Sequence, residues 1–211
     1  MKQFQTSQEE FWAGEFGTKY IGRNDSQELL ASNLNFFSKT LKQAGQISSC
    51  LEFGANIGMN LRALKLLYPR MNFKGIEINP AAANELRKLV GPENVFEGSI
   101  FDYRVIDTVD LALIKGVLIH INPDKLDDVY CKLYESTTRF ILLCEYYNPS
   151  PVTISYRGHS DRLFKRDFAG ELLEKFSDLK LVDYGFSYKR DIPFPQDDIT
   201  WFLMERRSKN A

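Results

Sequence analysis

The stretch Leu51-Glu52-Phe53-Gly54-Ala55-Asn56-Ile57-Gly58 decides how this chain of 211 residues is read. A short apolar run ends in two glycines four positions apart, and helical periodicity begins immediately after them. That is a buried strand passing through a tight turn into a helix. Gly54 and Gly58 permit the turn and a close backbone approach to a ligand, while the helix N-terminus offers unpaired N–H groups. The dinucleotide pattern GxGxxG is not met, because Asn56 and Met59 stand at its second and third glycines. A phosphate-binding loop is excluded for want of Gly-Lys-Ser/Thr. By itself the turn is equally an ordinary strand-to-helix connection.

Outward from it, apolar runs alternate with helical segments. The runs are Cys50–Phe53, Phe73–Ile78, Val95–Glu97, Val109–Ile114 and Phe140–Glu145. Helices are expected at about 57–68, 80–90 and 123–136, the last two announced by Asn79-Pro80 and Asn122-Pro123, each a cap followed by proline. Near-continuous apolar strands separated by helices indicate a parallel sheet buried on both faces. Beyond a polar loop at 148–166 and a helix at about 167–177, Leu179–Tyr188 and Ile199–Arg206 are joined too tightly for a crossover helix. They read as an antiparallel pair. The expected fold is α/β, a Rossmann-like, doubly wound sheet of seven strands with the last antiparallel. Ser26 caps an amphipathic helix over 26–44, so residues 1–45 are expected to form an N-terminal helical cap on one domain at 46–211.

In such sheets ligands sit at the carboxyl ends of the central strands. Glu77 ends the second strand, following Gly58 by roughly twenty residues, where a carboxylate accepts both hydroxyls of a ribose. Taken singly it is an exposed strand-end acid; paired with the glycine turn it reads as a nucleoside site. Glu52, Gly54, Ala55, Asn56, Gly58, Glu77 and Ile78 are therefore cofactor-binding candidates. Ser99 and Ile100 would flank a base, and Lys115 would lie beside the reactive centre.

Composition narrows the classes. With 27 Lys+Arg against 28 Asp+Glu, the net charge is −1, which gives no broad surface for nucleic acid or acidic lipid. Cys50, Cys131 and Cys144 are isolated, so no metal site is expected, and a reducing, cytoplasmic setting is. No apolar run suggests a signal peptide or a membrane span.

The residues resemble a class I S-adenosylmethionine-dependent methyltransferase. Leu51–Gly58 resembles that superfamily's glycine motif with Asn56 for its middle glycine, Glu77 its ribose acid, and Asp110–Ile114 with Val117–Ile121 its fourth-strand signature. A narrower resemblance, to the pseudaminic acid biosynthesis-associated methylases, is carried by Phe11–Gly17, Tyr20–Asn24, Leu51–Arg62, Tyr156–His159 and Leu163–Phe168. It implies S-adenosylmethionine as cofactor and a small acceptor from nonulosonic acid sugar metabolism.

A hydroxyl or ammonium acceptor needs a base, whereas a phosphate or carboxylate does not. His120 and His159 are the two candidates. The alternatives are that His120 packs its turn and that His159 stands on a solvated loop. Tyr20, Arg23, Glu145, Tyr147, Arg157 and Arg166 are candidate substrate-binding residues, the arginines suiting a carboxylate or phosphate. Phe11, Trp12 and Phe16 line a lid or anchor the first helix. A non-catalytic partner of a glycan-modifying assembly, or an RNA or protein methyltransferase, would use the same fold. Oligomeric state is not legible.

Overall fold

Seven segments become the strands of one sheet in the computed structural model, which describes residues 4–23 and 25–207. Asn24, grouped above with Tyr20 and Arg23, lies outside the described residues. The parallel strands are β1 (Ser49–Phe53), β2 (Asn72–Glu77), β3 (Val95–Glu97), β4 (Val109–Lys115) and β5 (Thr137–Glu145). Completing the sheet are β8 (Leu179–Ser187) and β9 (Ile199–Arg206), and β9 runs antiparallel to both neighbours. The order β3-β2-β1-β4-β5-β9-β8 reverses direction between β1 and β4, which opens a crevice at their carboxyl ends.

Helices cover both faces, as buried parallel strands require. On one face lie α3 (Gln27–Thr40), α4 (Met59–Leu67) and α5 (Pro80–Val90), packing Phe36, Phe37, Leu61, Leu64 and Leu86 against Leu111 and Leu113. On the other, α6 (Leu126–Glu135) and α7 (Phe168–Lys175) bring Val129, Leu133, Phe168 and Leu172 onto Leu51, Phe53 and Ile114. Ser26 caps α3 by accepting the Leu29 N–H, and Asn79 caps α5, as expected. The segment 1–45 divides in two. Whereas α3 buries Phe36 and Phe37 in the core, α1 (Ser7–Ala13) and α2 (Glu15–Ile21) lie over the crevice.

One expectation fails. The segment 148–166 is not a loop but carries the hairpin β6 (Val152–Tyr156) and β7 (His159–Lys165). Its turn is Arg157-Gly158, with φ of +50° and +86°, and Tyr156 pairs with His159. Two positive-φ residues between paired strands make the hairpin turn whose twist matches that of the strands, normally built with Asn-Gly. Most of β6 is exposed, so no buried face marked it in the sequence.

The glycine turn has the geometry its sequence implies. Gly54 (φ +72°), Asn56 (φ +50°) and Gly58 (φ +82°) are all left-handed, and asparagine is among the few other residues that tolerate this region. Gly54 also has no room, since a Cβ there would stand 2.6 Å from Val117 Cγ2. Gly54→Ala is therefore expected to destabilise the chain by about 1–3 kcal/mol, lowering the thermal midpoint by roughly 2–10 °C. A variant melting together with the wild type contradicts this account of the turn.

Candidate active site

A cavity of about 650 Å³ opens over the carboxyl ends of β1, β2 and β4. Its floor is the glycine turn, Glu77, Ile78, Ser99, Ile100 and Lys115; its roof is Gln8, Trp12 and Tyr20 from α1–α2 with Tyr156 and Arg157 from the hairpin.

Glu77 anchors the floor. One carboxylate oxygen accepts the Asn56 N–H of the turn and the other the Asn79 N–H, each at 2.7 Å. Burial pushes its carboxyl up from the ordinary range, and these N–H donors act against that. Ser99 turns its hydroxyl to accept the Phe101 N–H and shapes the loop after β3. Among the described residues, Asn56 Oδ1 is buried without a partner, and so is Trp12 Nε1 overhead.

His120 lines the wall on a 3-10 turn, Leu118–His120, after β4. Its Nδ1 lies 2.6 Å from the Arg162 carbonyl. A carbonyl only accepts, so Nδ1 carries the proton and Nε2 keeps a lone pair. Burial between Trp12 (4.8 Å) and Tyr156 (5.1 Å) lowers the imidazole pKa to about 4, which leaves the ring neutral at physiological pH.

Several residues singled out above stand elsewhere. Glu145 is buried behind the site, where its carboxylate accepts the Val117 and Leu118 N–H groups at 2.9 Å and so fixes the turn that bears His120. Glu52 is likewise buried beneath the lining and accepts Asn60 Nδ2 at 2.6 Å. Tyr147 is half-exposed near Phe202, bridged to Arg166. Arg166 pairs with Glu171 at 2.6 Å beside a separate outer cleft. His159 is exposed and meets Phe11 edge-on, outside the lining. None of these five side chains borders the cavity.

Others border it that the sequence did not single out. Buried Gln196 donates to buried Asn33 at 2.9 Å, and Tyr146 hydrogen-bonds Asp197; all four line the cavity with Lys189. Burial, then Asp197, raises the Tyr146 phenol. Burial lowers the Lys115 ammonium, opposed by Glu52, Asp197 and Glu145, and its nitrogen stands 5.5 Å over the Phe36 ring.

Three solved structures place this architecture. The 1,6-didemethyltoxoflavin N1-methyltransferase of Burkholderia thailandensis superposes with a TM-score of 0.71 at 12% identity, covering 99% of this chain and 94% of that one. Magnesium protoporphyrin IX methyltransferase from Synechocystis PCC 6803 gives 0.67 at 13% identity, covering 94% and 98%. The mitomycin 7-O-methyltransferase gives 0.65 at 16% identity over 96% of this chain, which spans only 61% of that protein. The fold is thus the Rossmann-like fold of class I methyltransferases. No protein-family model matches the chain, and no curated protein matches it in sequence. Among the described residues, no helix is long and apolar enough to cross a membrane, and no group of three His, Cys, Asp or Glu could hold a metal.

The buried acids set a pH dependence. Burial raises Glu52 to about 8 and Glu145 to about 7, against 4.5 ordinarily. Between these limits the native chain holds protons that the unfolded chain has released, so this stabilisation is complete below pH 4.5 and is lost as pH rises through 7 and 8. Glu52→Gln keeps an acceptor for Asn60 and cannot ionise. Its thermal midpoint should gain on the wild type as pH is raised from 5 to about 8.5; parallel curves contradict the assignment.

Proposed function

We propose that the chain transfers a methyl group from S-adenosylmethionine to a small anionic acceptor. The observation that carries this reading is the Glu77 carboxylate. The Asn56 and Asn79 N–H groups hold one oxygen each and the Ile78 N–H assists, yet the carboxylate keeps acceptor capacity for a ribose hydroxyl at the cavity floor. The left-handed turn Gly54–Gly58 lets the backbone approach, and Ser99 and Ile100 flank the base. The buried, unpartnered Asn56 Oδ1 and Trp12 Nε1 offer an acceptor and a donor to a polar ligand. When bound, the sulfonium supplies an activated methyl group.

The charge balance of the lining supports an anionic acceptor. Arg23, Lys115, Arg157 and Lys189 contribute cations. Of the acids, Glu77 is held by the turn and Glu9 is spent on the Gln5 and Thr6 N–H groups, which leaves Asp197. Arg157 reaches the cavity from a left-handed backbone position, its guanidinium 5.4 Å from the Tyr156 ring centroid. It is the better candidate than Arg166 for a carboxylate or phosphate. For a hydroxyl or ammonium acceptor, His120 Nε2 is the nitrogen available to take the proton, with Glu145 holding its turn. His159 lacks a place in this scheme. The resemblance to the pseudaminic acid-associated methylases favours a sugar-derived or nucleotide-linked acceptor. The three free cysteines favour a reducing, cytoplasmic setting.

Calorimetry with S-adenosylhomocysteine tests the reading. The wild type should bind one equivalent, and Glu77→Ala should bind at least about tenfold more weakly, since hydrogen bonds to a charged group are worth about 1.5–3 kcal/mol. A wild type that takes up no S-adenosylhomocysteine, or a variant that binds it undiminished, overturns it.

A further inference from the structure

The Asn79 side chain ties the α1–α2 cap to the floor of the cavity. Its Oδ1 accepts the Ala81 and Ala82 N–H groups at 3.0 and 3.2 Å and so starts α5. An N-cap requires only that oxygen, and aspartate or serine would serve as well. The amide nitrogen does something a cap does not require. Nδ2 faces the carbonyls of Trp12 (3.3 Å), Ala13 (3.3 Å) and Gly14 (3.2 Å) and the Thr18 hydroxyl (3.0 Å), at the junction of α1 and α2. The residue is only 2% exposed. The contact leaves no slack, because a Cβ on Gly17 would stand 1.8 Å from the Trp12 carbonyl oxygen and 3.0 Å from Asn79 Nδ2.

The third group of Asn79 points at the cofactor site. Its backbone N–H donates to Glu77, the acid assigned above to the ribose. One residue therefore joins the ribose acid, through its backbone, to the roof, through its side chain. The roof carries its own ligand-facing donor, the buried and unpartnered Trp12 Nε1. A cap closed over a ligand pairs that indole N–H; a cap closed without one buries it unpaired, at a cost.

We propose that Asn79 is a positioning residue coupling occupancy at Glu77 to seating of the cap. Seating of the cap and occupancy by cofactor then favour each other by the same factor, and the seated cap completes the acceptor side of the cavity. This rests on the reading of the cavity as an S-adenosylmethionine site. A ligand on Glu77 fixes the carboxylate, the carboxylate fixes the Asn79 backbone, and the backbone aims Nδ2 at the cap.

Asn79→Asp and Asn79→Ser separate the two roles, since both retain an N-cap oxygen and neither presents the amide donor. The test is hydrogen exchange across residues 7–21 with and without S-adenosylhomocysteine, alongside indole emission. Trp12 borders the cavity, whereas Trp201 lies in the core. In the wild type the ligand should slow exchange in both helices and shift the Trp12 emission. Both variants should still bind it, within about tenfold of the wild type, and lose the protection and the emission change together. Variants protected like the wild type overturn the proposal, as does a wild type that binds the ligand without protecting the cap. A wild type that does not bind S-adenosylhomocysteine overturns the cofactor reading and this inference with it.

Discussion

The site depends on one carboxylate held at a strand end. Glu77 receives one N–H from the glycine turn after β1 and another from the turn after β2, which ties together the two loops that frame the floor. Removing it would release both loops and leave two N–H groups unpaired in a buried place, so its cost exceeds that of a surface acid. Burial acts against its ionisation, and the same N–H donors favour it. A structural anchor and the acid proposed to bind the ligand are here the same group.

Two further buried acids, at or next to the ends of β5 and β1, have different duties. Glu145 serves the backbone of the turn that carries His120, as Glu77 serves the glycine turn. Glu52 has one amide donor and a second oxygen without a partner, which accords with its larger upward displacement, to about 8. The shared direction of the parallel strands brings these acids to one edge of the sheet. Their buried N–H partners, more than their charge, distinguish them.

Much of the floor was legible in the sequence, because strand ends and tight turns are local features. The apolar runs, the Asn79-Pro80 start and the left-handed needs of Gly54 and Gly58 follow from short-range chemistry. The roof was not. Tyr147 was singled out where its neighbour Tyr146 lines the cavity; successive residues face opposite ways in extended chain, so a slip of one position changes the face. Gln196 and Asp197 sit in a proline-rich connection whose return to Asn33 and Tyr146 is purely tertiary. The Arg157-Gly158 hairpin turn lacks the usual Asn-Gly, and β6 has no buried face to betray it. Arg157 and Tyr156 were named as a motif without any indication of the strand pair that delivers them.

The proposed role of Glu77 is to hold a ribose diol at the cavity floor. Its most direct measurement compares binding of adenosine with that of 2′,3′-dideoxyadenosine by calorimetry on the wild type. Removing the two hydroxyls should weaken binding by at least about tenfold, as loss of hydrogen bonds to a charged acceptor requires. Equal affinity for the two nucleosides would contradict it.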